Sequence, residues 1–182
     1  METVEWAREV AAELLGPLGD RWLHVQAVAA RSGDVASGLS KDHRALLVAS
    51  AWLHDIGYAP QLVNTGFHPL DGASFLLRLG QDQFAELVAH HSCADIEAQE
   101  RGLLVKLACF VGGPPVVAQA LTYCDMTTGP TGEPVTLAQR LQEIEARYGS
   151  EHVVARSIRR ARPCLDEAVR QTETLLAARQ PA

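Results

Sequence analysis

Residues 45–53 read Ala-Leu-Leu-Val-Ala-Ser-Ala-Trp-Leu, with Ser50 the one polar position, and run directly into His54-Asp55-Ile56-Gly57. A helix that is apolar on every side has to be surrounded by protein, so this segment is expected to be central and buried. It carries an ionisable pair, His54 and Asp55, to its end. A buried carboxylate without a partner is costly, so Asp55 has to be paired or bound to a metal ion. The rest of the chain must therefore supply a shell for the helix and partners for its charge.

The flanking segments are helical in pattern as well. Residues 3–15 place Val4, Ala7, Val10, Ala11 and Leu14 on one face before Gly16-Pro17 breaks the run. Asp20 is the expected N-cap of a second helix reaching about Ala30, with loop chemistry at 31–34 and 37–38. Ser40 is the expected cap of the central helix, with Asp42 suiting its first turn and Gly57 its C-terminal stop. Pro69 fits the first turn of a helix to Leu79 ended by Gly80, and another helix spans roughly 81–91. Residues 103–110 read as a short apolar helix and 116–123 as a further one, separated by Gly112-Gly113-Pro114-Pro115. Thr136-x-x-Gln139 is a capping box opening an amphipathic helix to about Tyr148. Ser150 is the expected cap of the last helix, which runs toward Ala178 with a kink or break at Pro163. No alternating strand pattern or internal repeat stands out. The expectation is an all-α fold of about eight or nine helices, a single domain over 1–182.

Composition narrows the functional classes. A net charge of −6 over 182 residues argues against a nucleic-acid polymer as partner, which needs a basic face. It leaves room for a small anionic ligand, because a metal ion can invert the field inside a pocket. Cys93, Cys109, Cys124 and Cys164 are scattered without a Cys-x-x-Cys pair. They are expected to be buried small hydrophobes in a reducing compartment and not a disulfide framework. The acidic start of the chain lacks a leader pattern, and no apolar run approaches the ~18 residues that span a bilayer. A cytoplasmic location without membrane association is the expectation.

The chemistry-bearing residues cluster at helix ends. His24 lies among apolar neighbours in the second helix. His54 and Asp55 close the central one. His68 opens the helix after the loop, His90 and His91 end the next, and Asp125 ends the helix over 116–123. Each group alone is ordinary; a lone histidine on an apolar face is usually a satisfied core residue. Their weight comes from the buried Asp55, for which imidazoles on other apolar helices are suitable partners.

The order His24, His54-Asp55, Asp125 resembles the HD superfamily of metal-dependent phosphohydrolases, with Ala-Ser-Ala-Trp-Leu-His-Asp-Ile-Gly (49–57) similar to its central motif. The resemblance covers roughly 22–125 and implies an HD-type helical bundle with its core over about 20–126 and a C-terminal helical extension over about 135–180. It implies a metal site of His24, His54, Asp55 and Asp125. His68 and His91 resemble the extra ligands of the dinuclear branch, as in HD-type diadenosine tetraphosphate hydrolases, with His90 the alternate to His91. The Gly-Tyr-Pro signature of HD-GYP phosphodiesterases is absent. The resemblance further implies catalytic roles for Asp55, His54 and His91, with one or two ions, Fe or Mn foremost and Co, Ni, Zn or Mg as alternatives. The implied reaction is hydrolysis of a phosphate ester or anhydride, in a nucleotide or related small phosphorylated metabolite, by a metal-activated water. Two other readings share the scaffold: a di-iron oxygenase acting on a small organic substrate, and a non-catalytic metal- or nucleotide-binding module. A homodimer is compatible with the family.

Beyond the ligands, His90, Thr127 and Thr128 are candidate substrate contacts, though an ordinary turn at 127–134 explains the two threonines as well. The four arginines of 156–162 are read as a solvated face paired with Glu143, Glu145 and Glu151, with a phosphate-binding lid as the alternative. His43 and His152 are expected to be exposed and inert.

Overall fold

A computed structural model describes residues 2–178 and is all-α. Its helices are α1 (Glu2–Leu15), α2 (Asp20–Ala36), α3 (Lys41–Leu53), α4 (His68–Arg78), α5 (Asp82–His90), α6 (Ala94–Glu100), α7 (Leu104–Leu107), α8 (Pro115–Met126), α9 (Leu137–Tyr148) and α10 (Val153–Ala177), with short 3-10 turns at Gly16–Leu18, Ile56–Tyr58 and His91–Cys93. Among the described residues the one β-bridge joins Thr128 to Pro134. None of the helices there is long and apolar enough to cross a membrane.

The apolar run at 45–53 becomes α3, and it sits where the pattern requires. Leu47, Ala49, Ala51 and Leu53 are fully buried, and α1, α2, α5 and α8 pack around the helix. Each such leucine contributes about 1.5–3 kcal/mol of burial free energy. One apolar cluster joins α1, α3, α4 and α5, and a second joins α2, α3 and α8. A third lies under α9 and α10, where Leu137, Leu141, Ile144 and Leu165 meet Met126 at the end of α8. Helix α10 also packs along α6 and α8, so it covers the ends of the elements that carry the histidines.

Ser40 caps α3 by accepting from the His43 amide, and Thr136 and Gln139 form the capping box of α9. Several local expectations are corrected. Helix α2 begins at Asp20 with Gly19 as its cap, and it continues through 31–34 to Ala36. Buried Val28, Ala29, Val35 and Ala36 hold that last stretch helical against the propensity of Gly33. Helix α6 follows the His91–Cys93 turn, where the sequence pattern gave no helix, and the apolar segment at 103–110 keeps one short helix only. His152, not Ser150, caps α10, accepting from the Val154 amide and stacking on Tyr148, so it is exposed but not inert. Helix α10 runs through Pro163 without a break.

The cysteine expectation is overturned. Cys93 and Cys164 are joined in a disulfide between the His91–Cys93 turn and α10, Cys109 is exposed, and Cys124 alone is a free buried thiol. The pair stands 71 positions apart in sequence, so no spacing motif announces it. Packing of α10 across the turn brings the two together.

Candidate metal centre

Three histidines are held in the same way. His24 Nδ1 donates to the Gly129 carbonyl at 2.9 Å, His54 Nδ1 to Ala51 at 2.8 Å, and His91 Nδ1 to Val88 at 2.7 Å. A carbonyl oxygen only accepts, so each Nδ1 carries the proton and each Nε2 is turned toward the others. This is the arrangement that prepares imidazoles as metal ligands, with tautomer and ring orientation fixed by the backbone. All three residues are at least 97 % buried.

Asp55 stands between two sets of donors. Its Oδ2 lies 3.5 Å from His54 Nε2 and 3.9 Å from His24 Nε2, while its Oδ1 lies 3.3 Å from His68 Nε2. His68 Nε2 in turn is 3.2 Å from His91 Nε2. The ligand atoms of His24, His54 and Asp55 lie within 4.8 Å of one another, as do those of Asp55, His68 and His91. Asp55 is thus shared by two potential metal positions. Asp125 closes the first, with Oδ1 3.1 Å from His24 Nε2 and 3.9 Å from His54 Nε2. His24 Nε2 and Asp125 Oδ1 both present lone pairs, because the His24 proton is spent on Gly129. A cation, proton or metal, has to lie between them. His54 Nε2 is buried with no hydrogen-bond partner at all. A donor set of imidazoles and carboxylates containing an orphaned ring nitrogen fits a transition-metal site.

The electrostatics agree. Burial would raise the Asp55 carboxyl, but the Arg21 guanidinium, His54 and His68 hold it well below the usual carboxylate range. Asp125 is lowered as well, its burial outweighed by the adjoining His24 and His54 rings, which favour the carboxylate form. Burial is the chief cause that lowers His54, His68 and His91, keeping those imidazoles neutral with lone pairs available.

Several residues that sequence reasoning passed over position this centre. Arg21 lies one helical turn before His24 on α2, donates to Asp55 Oδ2 at 2.6 Å, and stacks 4.0 Å over the Tyr58 ring. Tyr58 stacks in turn on His68, with ring centroids 4.1 Å apart. The i, i+3 spacing of Arg21 and His24 was the available signal. Ser92 has left-handed backbone, as has Cys93, and its hydroxyl donates to Asp125 Oδ2. Asp71 accepts from the Asn64, Thr65 and Gly66 amides and the Thr65 hydroxyl, bracing the loop that presents His68. Gly57 is no helix stop, since α3 ends at Leu53. A Cβ at Gly57 would lie 2.0 Å from the His68 carbonyl oxygen, so this glycine permits the contact that sets Asp55 beside His68.

Other candidates stand apart from the centre. His90 Nδ1 faces Asp95 Oδ1 at 3.1 Å and its Nε2 donates to the Phe110 carbonyl at 2.8 Å, so neither nitrogen points at Asp55. The Thr127 and Thr128 hydroxyls donate to the Tyr123 and Cys124 carbonyls, and neither residue lines the pocket beside the cluster. Arg156, Arg159 and Arg160 pair outward with Glu100 and Glu145, and Arg162 with Asp166, a solvated face and not a lid. Of the three expected carboxylates Glu145 alone is used, since Glu143 pairs with Arg140 and Arg147 and Glu151 meets Arg156 through its backbone carbonyl. That pocket, with a volume of about 90 Å³, runs from Asp55, His68, His91 and Asp125 to the inner faces of α9 and α10.

The HD domain family model matches residues 21–111, half of the chain. The protein belongs to the HD domain family, whose members are typically metal-dependent phosphohydrolases. No curated protein and no solved structure matches the chain.

Proposed function

We propose that this protein is a metal-dependent phosphohydrolase acting on a phosphate ester or anhydride of a small metabolite such as a nucleotide. The observation that carries the reading is the common anchoring of His24, His54 and His91 through Nδ1, which leaves three Nε2 atoms converging on Asp55 and Asp125. His24, His54, Asp55 and Asp125 would hold one ion, and Asp55, His68 and His91 a second. Fe or Mn suits this mixed nitrogen and oxygen set. When bound, the metal supplies a Lewis acid for phosphoryl oxygens and acidifies a water.

The chain's own residues supply the rest. Asp55 balances cationic charge and orients His68, and Arg21 keeps Asp55 ionised. Ser92 fixes the rotamer of Asp125. Tyr58 remains protonated, since burial pushes its hydroxyl well above the ordinary value, and its ring walls the pocket beside His68. Alignment of the phosphoryl group against a fixed set of charges is the main demand of phosphoryl transfer.

Elemental analysis of anaerobically purified protein, with phosphate release from a nucleotide and phosphomonoester panel, tests the reading. One to two equivalents of metal and phosphate release, both lost in Asp55→Ala, are expected. Metal with oxygen consumption and no phosphate release would replace the hydrolase by an oxygenase, and a metal-free protein after reconstitution would overturn the reading.

A further inference from the structure

The pocket ends on a wall that the HD family match does not include. Arg140, Ile144 and Arg147 of α9, at i, i+4 and i+7, share one helical face and line it, beyond the matched residues 21–111. An inward helical face is ordinarily apolar, and Leu137, Leu141 and Ile144 obey that rule. The two arginines do not. The Arg140 side chain is 6 % exposed, and its Nε is buried without a hydrogen-bond partner. Leaving a buried donor of a charged group without a partner is costly, so the position has to be offset by something.

The carboxylates around it are already committed or exposed. Glu143 is the single carboxylate paired with both arginines, at 2.5 Å from Arg140 Nη1 and also bonded to Arg147. Glu97, the other carboxylate on this side of the pocket, is taken by Arg101 at 2.7 Å. Arg21, the third arginine lining the pocket, is committed to Asp55. On the α9 wall the two guanidinium groups share Glu143 as their ion-pair partner, the exposed Glu133 adds a weaker attraction to Arg140, and the Arg140 Nε remains an unpaired donor. Apart from these arginines and the cluster around Asp55, much of the lining is apolar, including Phe67, Met126, Ile144 and Ile158.

We propose that Arg140 and Arg147 recognise a second anionic group on the substrate, a carboxylate or a second phosphate. That group lies at the far end of the pocket from the phosphoryl group held at Asp55, His68 and His91. The inference rests on the phosphohydrolase reading for the near group, and it names the substrate class: a phosphate ester whose apolar spacer carries a distal anion. Guanidinium forks suit both carboxylate and phosphate, because each offers two oxygens in one plane.

The test uses metal-loaded full-length protein, isothermal calorimetry and three probes: phenyl phosphate, 4-carboxyphenyl phosphate and 1,4-phenylene bisphosphate. Wild type is expected to bind at least one doubly anionic probe about tenfold more tightly than phenyl phosphate, the size of one charge-assisted hydrogen bond. Which probe gains identifies the distal group. Arg147→Gln, at the more exposed end, is expected to bring the ratio close to one, and Arg147→Lys to restore part of it. Arg140→Gln is read alongside, with circular dichroism and metal content as controls for folding. Arg162→Gln, on the outer surface, leaves the ratio at its wild-type value. A ratio near one in wild type, or one that survives both glutamine substitutions, would overturn the proposal while leaving the phosphohydrolase reading intact. Failure of all three probes to bind would overturn both.

Discussion

The helix ends around Asp55 and the C-terminal cover of α9 and α10 both hold dense charge, yet they use it oppositely. Around Asp55 the groups are buried and the contacts specific: ring nitrogens are assigned by backbone carbonyls, and one carboxylate is divided between two donor sets. On the cover, long side chains pair at the surface, as in Arg159 with Glu145 at 2.9 Å and Arg170 with Glu167 at 2.6 Å. Such exposed pairs are screened by solvent and contribute little, whereas removing one partner from a buried set costs about 3–5 kcal/mol. Charge on the outer surface of the cover is expendable; charge in the centre is not. The cover is held instead by its apolar seam and by Cys93–Cys164.

The largest expected effect follows from that difference. Asp55→Asn keeps the shape but removes the charge that balances Arg21 and stands in both donor sets. Metal retention should be lost and phosphate release should fall by more than ~100-fold. Glu145→Gln on the cover should change neither. Comparable metal content and turnover in the two variants would erase the distinction between the regions.

The next effect breaks the cover. A crosslink closing 71 positions of sequence stabilises by about 4 kcal/mol through the unfolded chain. Cys164→Ser is expected to lose most of that in urea denaturation, and reductant should bring wild type to the same midpoint while leaving the variant unchanged. A reductant-insensitive wild type would mean that the apolar seam alone secures α10.

How far the sequence discloses each region follows the same division. The centre is legible because its logic is local: the burial of 45–53 is visible in nine consecutive residues, and the histidines sit at the ends of periodic segments. The fold class follows from the same periodicity. What could not be read depends on distant packing. Cys93 meets Cys164 only once α10 lies over the turn. The helicity of 31–36 is imposed by the contacts of Val35 and Ala36 against a local composition that favours a loop. Arg140 and Arg147 look like an ordinary solvated stripe until α9 is placed on the pocket. Within the His90-His91 doublet His91 is favoured through the family resemblance alone, because adjacent residues share every local signal and differ only in what each ring faces.

Gly57 marks where the centre has no slack. Alanine there would put a Cβ 2.0 Å from the His68 carbonyl and 2.7 Å from the Gly72 amide, both backbone atoms fixed within α4. A loss of about 3 kcal/mol is expected, together with weakened occupancy of the position that depends on His68. Gly33→Ala in α2 is the counterpart, since its Cβ meets nothing within 4 Å and the residue lies in a helix. It should gain about 0.5–1 kcal/mol. Thermal unfolding of the two variants against wild type, with metal content, separates close backbone approach from simple helix propensity.

The smallest effect divides two neighbouring residues. Both nitrogens of His90 face acceptors, the Asp95 carboxylate and the Phe110 carbonyl, so the ring is a donor on both sides and is favoured as a cation. Its hydrogen bond to Asp95 is the main cause that raises its pKa above the ordinary histidine value, and the same bond lowers Asp95. His91 is its opposite, buried, lowered and neutral. A raised folded pKa means that the His90 contribution is fully present below the unfolded value of about 6.5 and is lost as pH rises through the folded one. The lowered Asp95 confines the same contribution at the acid end, where it is lost as pH falls through the carboxylate's folded value. Asp95 is half exposed, so solvent screening holds the pair to at most about 1 kcal/mol. The stability difference between wild type and His90→Gln should therefore be greatest near pH 5–6 and shrink toward pH 8. Metal content should be retained in His90→Gln and reduced in His91→Gln. A His90→Gln protein that loses metal as His91→Gln does would place both rings at the centre and remove the contrast.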